Sequence, residues 1–146
     1  MDKAQDISLT LIRKIKATPE KVFAAWTDPK ILKKWMAPSD DMEVTLAEAN
    51  LEVGGRYRII MHEPDGKDHI VGGTYSEISP NSKLVFTWAW ENAPDMETLV
   101  TIELRKVSEG TELTLTHTKF GNEQARDMHN KGWLGCVGRL EKYINA

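Results

Sequence analysis

The chain has 146 residues, of which 40% are apolar and 28% are charged, and its net charge is −3. This length and composition predict one globular domain spanning residues 1–146 and argue against an extended disordered chain. The acidic balance and the lack of any basic stripe along the sequence predict that nucleic acid is not a partner.

Three features of the sequence bear on its compartment. The longest apolar run, Leu84–Trp90, is far shorter than the ~20 residues that a membrane-spanning helix needs. The first six residues are polar, unlike the apolar core of a signal peptide. Cys136 is the only cysteine, so no disulfide can form within the chain. We therefore expect a cytoplasmic protein that does not insert into a membrane.

The N-terminal part predicts a strand followed by two short helices. Apolar and polar residues alternate over Ile7–Ile15, which is typical of a strand. Thr18 before Pro19 is a helix start, with an N-cap side chain and proline at the first helical position. Asp28 and Pro29 repeat this signal, so a second short helix follows the first directly.

The middle of the chain predicts a series of strands. Asp65 and Gly66 between two alternating segments indicate a β-hairpin. The other connections are also short, which favours antiparallel neighbours, because parallel strands need a long crossover. Six segments follow this pattern: Met42–Ala49, Arg56–His62, His69–Ile78, Leu84–Glu91, Thr98–Val107 and Thr111–Phe120.

The C-terminal part, Asn122–Ile144, predicts one long helix with a single apolar stripe. The fold class is therefore α+β, with a seven-stranded antiparallel sheet covered by this helix. A helix about 10 Å across cannot fill the concave side of so wide a sheet. Space between the helix and the sheet is therefore expected. The stripe comprises Ala125, Met128, His129, Gly132, Trp133, Cys136, Leu140, Tyr143 and Ile144.

Several stretches along nearly the whole chain have familiar local patterns: residues 17–29, Trp35, residues 53–57, 73–75, 84–88 and 111–117, and Gly132 with Trp133. In sequence and order they resemble the SRPBCC (START-like) superfamily, and in particular the branch named after the activator of the heat-shock-protein-ninety ATPase. The resemblance implies a helix-grip fold, in which the sheet wraps around the long C-terminal helix and encloses a hydrophobic cavity.

Three functions are compatible with this resemblance. Members of the superfamily bind lipids, hormones or aromatic metabolites, which implies a binding protein for a small apolar or aromatic ligand. The branch name implies an interaction module of the co-chaperone kind, with a chaperone as partner, and some members are cyclases. The sequence contains no serine nucleophile elbow, phosphate-binding glycine loop or working pair of carboxylates, so we expect no cofactor and favour binding over catalysis.

Aromatic residues are the main candidates for a ligand pocket. Trp88 and Trp90 share one strand face with Leu84 and Phe86, where they would either line a cavity or pack in the core. On the long helix, Trp133 adjoins Gly132. A glycine inside a helix costs about 1 kcal/mol relative to alanine. Either the helix approaches the sheet closely there, or it leaves room for a ligand, or the helix is simply weak at this point.

Polar candidates are fewer. His117 and His129 have the spacing of inward neighbours and would act as acid and base, bond a ligand, or be hydrogen-bonded core histidines. His62 and His69 flank the hairpin and are expected to be solvated. A metal site formed by them with Glu63 is the alternative, although we predict no metal. A homodimer through the outer sheet face is a further alternative. The predicted pocket residues are Trp35, Tyr57, Met61, Trp88, Trp90, His117, His129, Trp133 and Cys136.

Overall fold

The computed structural model describes residues 7–145, which form a seven-stranded antiparallel sheet and three helices. The strand order across the sheet is β1-β7-β6-β5-β4-β3-β2. The predicted α+β helix-grip fold is confirmed, and most predicted boundaries lie within a residue or two of the observed ones. The elements are β1 (Ile7–Ile15), α1 (Pro19–Thr27), α2 (Pro29–Trp35), β2 (Glu43–Ala49), β3 (Arg56–His62), β4 (Asp68–Ser79), β5 (Lys83–Trp90), β6 (Thr98–Val107), β7 (Gly110–Phe120) and α3 (Glu123–Asn145).

The two short helices begin where the sequence predicts. Thr18 accepts a hydrogen bond on Oγ1 from the backbone N–H of Lys21 at 3.2 Å. Asp28 accepts one on Oδ1 from the N–H of Lys30 at 2.9 Å, and its own N–H donates to the carbonyl of Ala24 at 2.8 Å. Asp28 therefore ends α1 and begins α2, because its side chain satisfies an N–H that the helix leaves free.

The long helix α3 packs against one half of the sheet. Its backbone approaches β1, β7 and α2 more closely than β3, β4 and β5. Its buried side chains include Val137, which the predicted stripe omits, whereas Met128 of that stripe is 67% exposed. Within residues 7–145, no helix combines the length and the apolar character that a membrane crossing requires.

Gly135 and Arg139 hold α3 against the segment that follows α2. A Cβ at Gly135 would lie 2.0 Å from the carbonyl oxygen of Pro38, so only glycine permits this approach. Arg139 donates to the carbonyl of Trp35 at 3.2 Å and to the carboxylate of Asp40 at 2.6 Å. Since these contacts anchor the middle and the end of α3, the gap between helix and sheet is left at its N-terminal half.

Candidate ligand-binding cavity

A cavity of about 680 Å³ lies between the N-terminal half of α3 and strands β3, β4 and β5. This volume is within the range of small-molecule sites in proteins. Most of the lining side chains are apolar, and they come from four parts of the chain. The loop after α2 supplies Pro38 and Met42; β3 and β4 supply Met61, Asp68, His69 and Ile70; β5 and its turn supply Trp88, Trp90, Glu91 and Asn92; α3 supplies Met128, His129, Gly132, Trp133 and Cys136.

Three tryptophans form a continuous aromatic wall. The rings of Trp88 and Trp133 lie 4.9 Å apart at 48°, and those of Trp88 and Trp90 lie 5.5 Å apart at 86°. Trp88 and Trp133 are almost fully buried, whereas Trp90 is half-buried. Such a wall offers a large rigid apolar surface and π faces for stacking.

His117 lies behind this wall and holds Trp133 in place. The indole N–H of Trp133 donates to Nδ1 of His117 at 3.0 Å. Because an indole nitrogen can only donate, Nδ1 must be unprotonated, and the proton is on Nε2. Nε2–H then donates to Oγ1 of Thr98 at 2.6 Å, and the threonine hydroxyl donates to the carbonyl of Trp88 at 3.0 Å. Burial lowers the pKa of His117 to about 3, and nearby His129 contributes.

His129 has the same relationship to Trp90, and it lines the cavity. The indole N–H of Trp90 donates to Nε2 of His129 at 3.0 Å, so the proton is on Nδ1, which donates to the carbonyl of Ala125 at 2.7 Å. Burial lowers the pKa of His129, and the bond to the backbone opposes this shift only in part. Both histidines are therefore neutral, and each has both ring nitrogens bonded within the protein. This arrangement orients tryptophans and leaves no ring nitrogen free for acid–base chemistry.

Six of the nine predicted pocket residues line the cavity, namely Met61, Trp88, Trp90, His129, Trp133 and Cys136. Cys136 is buried among apolar groups, and burial raises the pKa of its thiol to about 12. It therefore stays a neutral thiol and is no nucleophile at neutral pH.

The other three predicted residues, Trp35, Tyr57 and His117, lie outside the lining. Trp35 is fully buried between the two short helices, where its indole N–H donates to the carbonyl of Ala25 at 2.9 Å. Tyr57 faces inward as expected, but its hydroxyl donates to the carbonyl of Thr87 at 2.6 Å. Side chains of α1 and α2, including Trp26 and Leu32, cover the sheet around Tyr57, so the open space is confined to the other end.

Gly132 lines the cavity, and a Cβ built at this position meets no described atom within 4 Å beyond its chain neighbours and the adjacent backbone of α3. Of the three explanations that the sequence leaves open for this glycine, the geometry supports the second, in which the missing side chain leaves volume.

His69 is a cavity residue that the sequence interpretation missed. It follows the Asp65–Gly66 hairpin, and this suggested a solvated side chain. Its register with Met61 on β3 is the signal that could have placed it on the inner face. His62 instead pairs with Asp68 at 2.7 Å, and in the described part of the chain no group of three or more His, Cys, Asp or Glu side chains could hold a metal ion.

The fold and the cavity together define a helix-grip protein of the START-like class. Residues 16–145 match the sequence model of the family described as Activator of Hsp90 ATPase homolog 1-like protein. The chain belongs to this family.

Solved bacterial structures share the fold over nearly the whole chain. A protein from Chromobacterium violaceum is 25% identical with a TM-score of 0.87, and the match covers 96% of this chain and 98% of that one. An AHSA1 protein from Silicibacter pomeroyi is 24% identical with a TM-score of 0.83, covering 94% and 97%. An AHSA1-like protein from Aeromonas hydrophila is 23% identical with a TM-score of 0.79, covering 94% and 92%. No curated protein matches the sequence.

Proposed function

We propose that the protein binds a small apolar or aromatic molecule in the cavity between α3 and the sheet. The observation that supports this most strongly is the wall of Trp88, Trp90 and Trp133 around about 680 Å³ of space. Transfer of an apolar ligand from water to such a wall is favourable by roughly 25 cal/mol per Å² of surface buried. A ligand of the size of two or three fused rings would fit this volume and stack on the indoles.

The hydrogen bonds of the two histidines next to the aromatic wall support binding over catalysis. His117 and His129 were the candidates for acid–base chemistry. In each ring, both nitrogens are hydrogen-bonded to protein groups. To accept a proton, either ring would have to release a tryptophan, and to donate one it would have to release Thr98 or the carbonyl of Ala125. We therefore propose a carrier or sensor of a small molecule, and we do not assign a cyclase activity.

The test is a titration with naphthalene, followed by the ¹H–¹⁵N resonances of the tryptophan side chains. We expect the indole resonances of Trp90 and Trp133 to shift, whereas that of Trp35, which lies outside the cavity, stays in place. If all indole resonances stay in place at saturating naphthalene, the binding proposal is wrong, and the interaction module implied by the family name becomes the better hypothesis.

A pair of variants links this binding to the cavity. Gly132→Leu places a side chain in the open space, so we expect it to weaken naphthalene binding at least about tenfold. Gly138→Leu is the matched control, because it adds the same side chain on the same helix, also with no described atom within 4 Å of the new Cβ, but away from the lining. Equal loss of binding in both variants would indicate a general effect on α3.

A further inference from the structure

A pair of polar side chains, His69 and Glu63, stands at the edge of the cavity. His69 is opposite Met61 in the register between β3 and β4, and both side chains line the cavity. The imidazole packs edge-on against the indole of Trp90, with ring centroids 6.4 Å apart. His69 therefore adjoins the aromatic wall, and at 39% side-chain exposure it also reaches solvent.

Glu63 fixes the orientation of this histidine. The residue lies at the start of the hairpin turn, where its N–H donates to the carbonyl of Lys67 at 2.8 Å and its carbonyl accepts from Gly66 at 2.9 Å. From there its Oε2 contacts Nε2 of His69. A carboxylate can only accept, so Nε2 carries a proton, and in the neutral ring Nδ1 presents its lone pair. Within residues 7–145, Nδ1 of His69 makes no hydrogen bond to the protein.

The polar side chains of the aromatic wall and of α3 have little capacity left for a ligand. Trp90, Trp133 and His129 bond to protein partners, as described above. The indole N–H of Trp88 has no partner in the described part of the chain, but it is enclosed and can only donate. Nδ1 of His69 is thus an acceptor beside the aromatic wall that a ligand could use, whereas the side chain of Asn92 lies in the exposed turn after β5.

Charge at the cavity narrows the choice of ligand. Among the described residues, no Lys or Arg lines it. Asp68 and Glu91 belong to the lining, but their carboxylates pair with His62 and Arg58, which by strand alternation lie on the outer face of the sheet. A ligand carboxylate buried here would lack the cation that offsets its desolvation.

We propose that Nδ1 of His69, oriented by Glu63, accepts a hydrogen bond from a hydroxyl group on the ligand. The ligand class is an aromatic or polycyclic molecule with a neutral hydroxyl at one end, of which a phenol is the simplest case. This inference rests on the proposed function, since the apolar body of the molecule must occupy the cavity. Glu63 acts as a positioning residue, and His69 recognises the ligand.

The experiment compares three probes that share one fused-ring body, naphthalene, 2-naphthol and 2-naphthoate, at pH 8 by calorimetry. We expect 2-naphthol to bind about threefold to tenfold more tightly than naphthalene, because one hydrogen bond contributes about that factor, and 2-naphthoate to bind more weakly than both. In His69→Leu, the ratio of the 2-naphthol and naphthalene affinities should fall to about one, whatever the change in the affinity for naphthalene. His62→Leu is the matched control, since that histidine pairs with a carboxylate on the same hairpin but lies outside the lining.

The ¹⁵N resonance of Nδ1 gives a second test, in which His69 itself is kept. Addition of 2-naphthol, but not naphthalene, should shift the ¹⁵N resonance of Nδ1 in His69. In Glu63→Gln, the same resonance should report a changed tautomer balance before any ligand is added.

Equal affinity for naphthalene and 2-naphthol, with no shift at Nδ1, would overturn this inference and leave the proposed function intact. Tightest binding of 2-naphthoate would also overturn it, because the histidine would then serve as a cation. If none of the three probes binds, both proposals are wrong.

Discussion

Trp90 and His129 join the sheet to the long helix through one hydrogen bond, in which the indole N–H donates to Nε2 at 3.0 Å. Both residues line the cavity, and Nδ1 of the same ring donates to the carbonyl of Ala125 on α3 at 2.7 Å. The ring can accept from Trp90 only while Nε2 is unprotonated. One side of the cavity is therefore held by a bond that acid can break.

This relationship predicts a different response to acid for two tryptophans. Below the lowered pKa of His129, a proton on Nε2 displaces the indole of Trp90, so its ¹H–¹⁵N resonance should move. The resonance of Trp133 should move only at lower pH, because the pKa of its partner His117 is lowered to about 3. The measurement is a pH titration of the indole resonances in the free protein.

Trp35 serves as the control in this titration, since its indole donates to a backbone carbonyl that does not titrate. Movement of the three indole resonances at one common pH would mean that acid unfolds the protein, and it would contradict separate bonds to the two histidines.

His117 should make stability fall in acid. Its pKa is about 3 in the folded protein and 6.5 in the unfolded chain, so the unfolded state binds the proton first. The contribution is fully present above pH 6.5 and is lost as the pH falls toward 3. By pH 4.5, the loss in free energy of unfolding is about 3 kcal/mol. Urea denaturation between pH 7 and 4.5 measures this slope.

The variant His117→Gln separates this histidine from the other titrating groups. Glutamine has no proton to gain, so the variant should be less stable than the wild type at pH 7 by about 1–3 kcal/mol, but it should lose less stability on acidification. If the free energy of unfolding of the variant fell with pH as steeply as that of the wild type, His117 would not be the cause of the pH dependence.

Much of the fold could be predicted from the sequence, because the signals involved are local. β1 and β6 begin and end at the predicted residues, since alternation marks a strand directly. Thr18 and Asp28 mark both short helices because a cap acts on N–H groups two or three residues away. The long helix follows from its stripe, although Val137 shows that the buried face is wider than that stripe.

The cavity depends on contacts that no local pattern contains. Strand alternation correctly turns Tyr57 inward, but only the packing of α1 and α2 over it determines that the open space is elsewhere. His69 was judged from its place beside a turn, whereas its role follows from its register with Met61 and its contact with Glu63. The cover over Tyr57 and the contacts of His69 are formed between different segments. They are therefore known only from the assembled fold.

Arg139 should contribute more to stability than its exposed neighbour Lys142. The guanidinium of Arg139 donates to the carbonyls of Trp35 and Lys34 at the end of α2 and to Asp40, whereas Lys142, within residues 7–145, donates to Asp40 alone. We expect Arg139→Met to lower the free energy of unfolding by about 1–2 kcal/mol, because helix carbonyls lose their donor. Lys142→Met should change it by less than about 0.5 kcal/mol, as is usual for an exposed ion pair. Equal losses in urea denaturation would show that only the shared pair with Asp40 matters.

Two glycines three residues apart on α3 should respond to alanine with opposite signs. At Gly132 the new methyl group meets no described atom within 4 Å, and alanine favours the helix, so Gly132→Ala should raise the free energy of unfolding by up to about 1 kcal/mol. At Gly135 the methyl group would lie 2.0 Å from the carbonyl oxygen of Pro38, so Gly135→Ala forces α3 away from that loop. We expect a loss of about 1–3 kcal/mol, as for other overpacked positions.

Gly138→Ala, with open space and no place in the lining, measures the helix term alone. If Gly135→Ala stabilised the protein as much as Gly138→Ala, α3 would not approach Pro38 closely in solution. Pro38 would then not occupy its present place in the cavity lining.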